Sequence, residues 1–508
     1  MLKNMVPYLI LKQAMLKGFK NSISTRLGNG LAFPLKNATA NKRSSIIEFG
    51  RAPGNYDFRT ERSDIMSDNK KLKYKDKNSL VVRPDSQLGD VLSVCAVCGE
   101  IGLSALKLFG TDNGELNGVA KYGRIKRNAL KDMRYTTKNG DVLYEGKAFN
   151  MCGEGKLKTL RPISKAYSIF DALEGGRNIC RYEGKARGSD AQHTRRVVAL
   201  SEWCVFCRKA GVEFNPQLVP PVYNLGGEVI NNRNGIGPKK AGEREVEKDL
   251  FYSTVNIKEM DTKGKQYGRG SRANGLLLRK GGKEMPYVCF NFLDNAHLLW
   301  GSSDEDFIFY TTMDFGPQNF GTKYVFGEKT KALCLAENFE KAHSIVFAPP
   351  YSPKSKGGGK PTYNRNFSSL FSDIYVFPRN EKGVKQFSLF IKEGYIEKLI
   401  EYFLGVTQKD AVQQKSSIYD VDYFDKESQV ASLLFFNGCV TKLQKCAEVK
   451  KSNFFDSANI QLDVYVFDFQ KEYVEKVLKD APHTNIKVFT FKEILGIVSD
   501  EQQKGVKK

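Results

Sequence analysis

Two Cys-x2-Cys pairs constrain the fold of this chain more than any other feature of the sequence. One pair is Cys95 and Cys98, and the other is Cys204 and Cys207. Two such pairs are the usual halves of a tetrahedral zinc site, in which four thiolates surround the ion. Because four protein ligands leave no open position for a water molecule, the metal would be structural. The spacing therefore predicts a zinc-knuckle element that connects distant parts of the chain.

A second, more local ligand set is also compatible with the sequence. It combines Cys180 and His193 with Cys204 and Cys207, and its shorter loops lose less chain entropy when they close. In that arrangement Cys152 is available as a partner for the first pair. A third interpretation is that the cysteines are buried small apolar residues, which is a common role of free cysteine.

The positive charge of the chain is unevenly distributed. The formal net charge is +22, and all of this excess lies in positions 1–283, since positions 284–508 hold nearly equal numbers of basic and acidic residues. A cationic surface that neutralises phosphates releases counterions, which favours binding to a polyanion. The distribution therefore predicts that nucleic acid is the partner of the front half.

Basic residues that alternate with aromatic residues are typical of a surface that follows a single strand. Cations pair with the phosphates, and rings stack on the bases. The pattern occurs between the two cysteine pairs, beside the second pair, and again in a glycine-rich stretch further on. The residues predicted to contact nucleic acid are Arg124, Lys126, Arg127, Arg134, Arg195, Arg196, Arg269, Arg272, Tyr122, Tyr135 and Trp203.

Composition and hydrophobic patterning divide the chain into five parts. We expect a basic arm at 1–50, a polar linker at 51–88, a basic zinc-stapled nucleic-acid-binding domain at 89–347, a linker at 348–367 and an α/β domain at 368–508. The expected fold class is α+β, with a β-rich basic N-terminal and central region and a smaller α/β C-terminal domain.

Local periodicity predicts individual elements. Apolar alternation predicts a strand over 460–466, and helical spacing predicts a helix over 393–404. Apolar runs at 287–293 and 307–310 are typical of buried strands. The Asn-Gly turn inside 138–141 predicts a β-hairpin.

No motif in the sequence names a reaction, so the predicted function is binding of single-stranded DNA or RNA rather than catalysis. Two alternatives remain open. A viral nucleocapsid or capsid protein is suggested by the acid-free stretch 1–47, and it would add self-assembly or a larger nucleoprotein complex to the expected partners. A nuclease, or a subunit of a larger nucleic-acid-processing complex, is suggested by the acids at Asp420, Asp422, Asp425 and Glu427.

The expected location is a reducing intracellular compartment, either cytoplasm or nucleus. No signal peptide is evident, which disfavours a secreted disulfide framework, and no apolar run reaches the length of a membrane span. The acid-free, amphipathic start of the chain leaves organelle import as an alternative. We therefore expect no membrane partner.

Overall fold

The structure is a computed structural model, and it describes most of the chain beyond position 77. The described residues are 78–83, 87–109, 126–166, 191–213, 248–260, 270–281, 285–293, 302–317, 328–349, 366–413, 420–452 and 459–499, together with 123, 169, 222–223, 229–231, 266–267 and 322. The predicted basic arm and most of the predicted polar linker lie outside these residues. All of the described residues belong to one compact unit, Lys73–Lys508.

The described elements follow one another as a mixture of strands and helices. The strands are β1 Ser79–Val81, β2 Ile101–Gly102, β3 Met133–Thr136, β4 Val142–Gly146, β5 Phe149–Cys152, β6 Thr159–Pro162, β7 Val222–Tyr223, β8 Val229–Asn231, β9 Leu250–Ser253, β10 Gly275–Leu278, β11 Tyr287–Asn291, β12 Ala332–Ala336, β13 Ile374–Pro378, β14 Tyr423–Asp425, β15 Val430–Leu434, β16 Gln461–Phe467 and β17 Thr484–Phe489. The α-helices are α1 Gln87–Cys98, α2 Leu103–Phe109, α3 Ala191–Ala210, α4 Thr254–Met260, α5 Ser302–Tyr310, α6 Phe339–Val346, α7 Phe367–Leu370, α8 Glu381–Ile391, α9 Tyr395–Leu404, α10 Gln408–Gln413, α11 Val440–Lys451, α12 Lys471–Val477 and α13 Phe491–Ser499.

A five-stranded sheet with the order β13-β12-β11-β10-β9 forms the centre of the unit. Strands β9, β10 and β11 are antiparallel neighbours, whereas β11, β12 and β13 run parallel. Every residue of β12 is buried, and successive side chains belong alternately to two different hydrophobic clusters. A sheet that is covered on both faces requires continuous apolar strands, which is what the sequence 332–336 provides.

A four-stranded sheet, β14-β15-β16-β17, repeats the same plan near the end of the chain. Its first pair is antiparallel, and β15, β16 and β17 run parallel in sequence order. One face shares a hydrophobic cluster with the five-stranded sheet, and the other packs under α9 and α13. The strand predicted at 460–466 and the helix predicted at 393–404 are confirmed as β16 and α9.

The remaining face of the five-stranded sheet is covered by α1, α3 and α8. Helix α3 is buried on all sides from Val197 to Cys207, so it lies inside the molecule rather than on its surface. Trp203 on this helix is fully buried, and its indole N–H donates to the Phe290 carbonyl of β11 at 3.0 Å. An ion pair between Arg208 and Asp90 at 2.8 Å joins α3 to α1.

The mixed α+β class is confirmed by this arrangement of helices and several sheets. The hairpin predicted around 138–141 is confirmed as the antiparallel pair β3–β4, and the strand predicted at 287–293 is confirmed as β11. The strand predicted at 307–310 is wrong, because these residues end α5. A four-residue apolar run fits the buried side of a helix as well as a strand, and tertiary packing selects between them.

The predicted linker 348–367 separates β12 from β13, which are neighbours in one sheet. The five-stranded sheet therefore takes strands from both sides of the predicted boundary. No helix among the described residues is both long enough and apolar enough to cross a membrane.

Candidate nucleic-acid interface

Both Cys-x2-Cys pairs lie on α-helices that pack together. Cys95 and Cys98 are in the last turns of α1, and Cys204 and Cys207 are in the second half of α3. All four side chains are buried, with exposed fractions between 0% and 3%. Residues three apart share one face of a helix, so each pair points in one direction.

Cys204 is the member of the set that lies nearest the others. Its Sγ is 3.6 Å from the Sγ of Cys98. Burial raises the pKa of Cys95, Cys98 and Cys207 well above the ordinary thiol value, and nearby Cys204 adds to each shift. Without a metal, these thiols are protonated at neutral pH and pack as small apolar groups.

A zinc-knuckle geometry is not seen in this region. Among the residues that the structure describes, no group of three or more His, Cys, Asp or Glu side chains is arranged to hold a metal ion. Of the alternative ligands, His193 lies in the first turn of α3, Cys152 ends β5, and Cys180 lies outside the described residues. Zinc at either cysteine set therefore stays a prediction.

Among the described residues, most of the cations predicted to contact nucleic acid lie at the surface. Arg127, Arg195, Arg196 and Arg272 are exposed, and Lys126 is half-buried. Exposed Arg134 lies 3.4 Å from Glu145. Such a surface ion pair is weak enough to be exchanged for a phosphate.

Two cations, Lys258 and Arg196, lie close enough together for one to lower the pKa of the other. Lys258 on α4 has a pKa that is lowered by burial and, to a smaller extent, by neighbouring Arg196. Like charges held near each other attract an anion. Arg124 and Arg269 lie outside the described residues.

Two of the three predicted stacking rings are in the hydrophobic core. Tyr135 and Trp203 are each 0% exposed, so neither presents a face to a nucleic-acid base in this structure. Trp203 instead stacks on Phe251 and meets the ring of Phe387 edge-on, at centroid distances of 6.2 and 5.7 Å. Tyr122 lies outside the described residues.

A large crevice lies at the carboxyl ends of the parallel strands β11, β12 and β13. Ligands bind at this edge of open α/β sheets, where loops and helix starts surround the strand ends. The cavity, here called the strand-end crevice, has a volume of about 810 Å³. Leu293, Glu337 and Arg379, which follow the three strands, line it together with residues of α2 and α3.

A buried polar cluster forms the floor of the strand-end crevice. Glu202 on α3 is 1% exposed, and its Oε2 accepts a hydrogen bond from the Asn291 side chain at 2.7 Å. The Arg379 guanidinium lies 3.5 Å from the same oxygen and donates to the Leu293 carbonyl at 3.1 Å. Its buried Nε has no hydrogen-bond partner, and neither has the buried Oδ1 of Asn291. Both atoms are inaccessible, so the polar groups that a ligand in the crevice could reach are those of the other lining residues.

Cations from two separate elements line the rim of the crevice, and a third element carries one close to it. Lys107 comes from α2, and Lys156 comes from the 3-10 turn Gly155–Leu157. Arg195 lies three residues before Val198 and seven before Glu202, so it shares the face of α3 that lines the crevice. One residue of the predicted set therefore lies on α3 beside the crevice, although it is not one of the lining residues.

Carboxylates also line the crevice, but most are already paired. Glu202 faces Arg379, and Glu381 pairs with Lys385 at 2.8 Å. Glu337 is the lining carboxylate without an ion pair among the described residues. No ion pair of Lys107 or Lys156 is found there either, so the rim has an excess of positive charge.

The acidic cluster that motivates the nuclease alternative does not converge on one point. Asp420 pairs with Lys445 at 2.7 Å, whereas Asp422 pairs with Lys442 at 2.8 Å. Asp425 accepts hydrogen bonds from its own turn. Two-metal catalysis needs carboxylates that share a metal, whereas Asp420 and Asp422 are each paired with a different lysine.

No motif in the sequence predicted the strand-end crevice, because Glu202 and Arg379 are 177 residues apart and meet only in the fold. The weak signal available was polar residues directly after buried strands, as at Glu337 and Arg379. Comparison with protein-family models, curated proteins and solved structures finds no significant match.

Proposed function

We propose that the protein binds single-stranded nucleic acid, DNA or RNA, and that the strand crosses the strand-end crevice. The observation that carries the proposal is that Lys107 and Lys156 line one crevice, while Arg195 precedes the lining face of α3 by about one helical turn. Cations from three elements around one crevice follow a phosphate backbone better than cations scattered over a surface.

The distribution of charge along the chain favours the same partner, nucleic acid. The excess positive charge lies in positions 1–283, which also supply Lys107, Lys156 and Arg195. The exposed residues Arg127, Arg134, Arg196 and Arg272 extend the cationic character beyond the crevice. Such a field speeds encounter with a polyanion and makes affinity dependent on salt.

Phosphate contacts, rather than stacking on Tyr135 or Trp203, carry the binding. Both rings are held in the core, so exposing either would disrupt the packing around it. The affinity should therefore depend only slightly on base identity and strongly on ionic strength.

Fluorescence anisotropy of a labelled oligonucleotide, measured from about 50 to 200 mM salt, tests the proposal. The rim variant combines Lys107→Gln, Lys156→Gln and Arg195→Gln. The slope of log K against log salt is negative, and each lost phosphate contact to a single strand reduces its magnitude by about 0.7. The magnitude should therefore be smaller by about 2 in the rim variant. A single strand should bind more tightly than the matching duplex.

A matched control removes three exposed lysines from the nearly neutral half of the chain. It combines Lys409→Gln, Lys426→Gln and Lys479→Gln, which are away from the crevice lining. This variant loses the same formal charge and should keep the wild-type slope. If the rim variant also keeps that slope, the strand does not cross the crevice. If wild-type protein binds no oligonucleotide at the lowest salt, the proposed function is wrong.

A further inference from the structure

Three leucines line the strand-end crevice and keep part of their surface accessible. Leu103 comes from α2, Leu157 ends the 3-10 turn that carries Lys156, and Leu293 follows β11. All three are half-buried. Leu103 also packs against a hydrophobic cluster, whereas Leu157 and Leu293 do not belong to the clusters that the described residues form. Apolar surface that remains accessible in a crevice is available to a ligand.

Helix α2 presents a leucine and a lysine to the crevice on one face. Leu103 and Lys107 are four residues apart, and both line the crevice. The start of the helix is fixed to α3, because the Gly102 N–H donates to the Ser201 hydroxyl at 3.1 Å. The apolar side chain and the cation are therefore held beside each other by the fold.

The 3-10 turn holds a second pair of the same kind. Lys156 and Leu157 are adjacent, and both line the crevice. The turn is tight: Gly153 has φ 71°, and a Cβ there would overlap the Leu157 carbonyl oxygen. The Leu157 N–H donates to the Glu154 carbonyl at 3.0 Å. The backbone thus fixes where this lysine and leucine leave the chain.

A nucleotide has the same combination of groups as these pairs, since its charged phosphate lies next to a planar, mostly apolar base. The crevice has a volume of about 810 Å³. Pockets that enclose small molecules measure about 300 to 1,000 Å³, so a base with its sugar fits. A duplex keeps its bases stacked and paired, whereas a single strand can turn a base outwards at little cost.

We propose that the strand-end crevice takes up one unstacked base of the bound strand without distinguishing which base it is. The inference rests on the proposed function, because it names what the crossing strand places in the crevice. The base packs against Leu103, Leu157 and Leu293, and the flanking phosphates lie at Lys107 and Lys156. Leucine side chains offer apolar contact but no hydrogen bonds, so every base is accepted. The same contact accounts for the preference for a single strand over a duplex.

Fluorescence anisotropy with two labelled strands of equal length tests the proposal on the full chain. One strand is oligothymidine, and in the other every nucleoside is replaced by an abasic sugar. Both strands carry the same phosphates, so binding releases the same counterions and the slope of log K against log salt should be equal. The abasic strand should bind wild-type protein about tenfold more weakly, because it has no base to bury.

The double variant Leu157→Asn with Leu293→Asn removes the apolar contact and keeps all charges. It should bind oligothymidine about tenfold more weakly, whereas its affinity for the abasic strand should stay close to that of wild type. A general loss of folding would weaken both strands alike, so only direct contact produces this coupling. The control Val488→Asn with Leu495→Asn changes two residues that are 40% and 44% exposed and away from the crevice lining. It should bind both strands as wild type does.

Two results would overturn the inference while leaving the proposed function intact. One is equal affinity of wild-type protein for the two strands, a comparison that needs no variant. The other is equal weakening of both strands by the leucine variant, which would show that the leucines support the fold. In both cases the loss of salt dependence in the rim variant would still locate the strand at the crevice. If wild-type protein binds neither strand at the lowest salt, the proposed function and this inference are both wrong.

Discussion

Trp203 provides the sharpest test of whether α3 is an internal helix or a nucleic-acid contact. The sequence favoured a base-stacking ring, whereas the structure buries the whole side chain. Its indole N–H donates to the Phe290 carbonyl at 3.0 Å, and its ring contacts Phe206, Phe251 and Phe387. Replacing it should therefore change stability and leave strand binding unaffected.

The cost can be estimated from these contacts. Trp203→Phe keeps an aromatic ring but loses the hydrogen bond, worth about 1 kcal/mol, and leaves a small cavity that costs about 1 kcal/mol more. Trp203→Ala removes the ring as well, and the total rises to about 5 kcal/mol. At roughly 2 °C per kcal/mol, the melting temperature should fall by about 4 °C and about 10 °C.

Circular dichroism melts give the stability, and oligonucleotide anisotropy gives the binding. Tyr402→Ala is a suitable control, because this ring is 64% exposed and its loss should change stability by less than about 0.5 kcal/mol. If Trp203→Phe weakened strand binding about tenfold while the melting temperature stayed the same, Trp203 would be a stacking ring and its buried placement would be wrong.

Three further predictions concern packing, pH and metal. A Cβ at Gly383 would lie 1.8 Å from the carbonyl oxygen that ends β13, so Gly383→Ala should cost at least about 3 kcal/mol in urea unfolding. Gly496→Ala, which meets nothing within 4 Å on an exposed helix, should gain about 0.5 kcal/mol, and equal effects of the two changes would contradict the close approach. Burial, with a smaller contribution from Asp373, raises the pKa of Cys439 from 9.0 to about 11. Between these values the unfolded thiol ionises and the folded one does not, so wild type should lose about 1.4 kcal/mol per pH unit relative to Cys439→Ala, and parallel pH profiles would refute this. Elemental analysis should find about one zinc per chain, lost in the Cys98→Ser and Cys204→Ser double variant, and a folded, metal-free wild type would exclude the zinc site.

The C-terminal elements could be predicted because their patterns are local. Residues 460–466 alternate in polarity, and 393–404 carry apolar residues at helical spacing, so β16 and α9 follow from short windows of sequence. The apolar run 307–310 is too short to show either pattern, so it did not distinguish a helix from a strand. Acidic Asp304 and Glu305 in the first turn of α5 were the signal of a helix start that could have corrected it.

The spacing of the cysteine pairs did not reveal whether they lie in a zinc knuckle or on a helix. A knuckle and one turn of helix both place cysteines three residues apart. What separates them is the surrounding, mostly apolar run at 91–98, which is typical of a buried helix. The strand-end crevice was beyond prediction for another reason, since its floor joins Glu202 and Arg379 through the tertiary fold alone.

The sequential order of strands in both sheets has a consequence for refolding. From β14 to β17 each strand pairs with the next one along the chain, and the widest separation of paired residues is 31 positions, as between Val430 and Gln461. The contact between α1 and α3 instead joins Cys98 to Cys204 across 106 residues. Loop-closure entropy should delay that docking until the sheets exist. Burial of Trp203 would then report the last phase of refolding, and the first phase would belong to the C-terminal sheet.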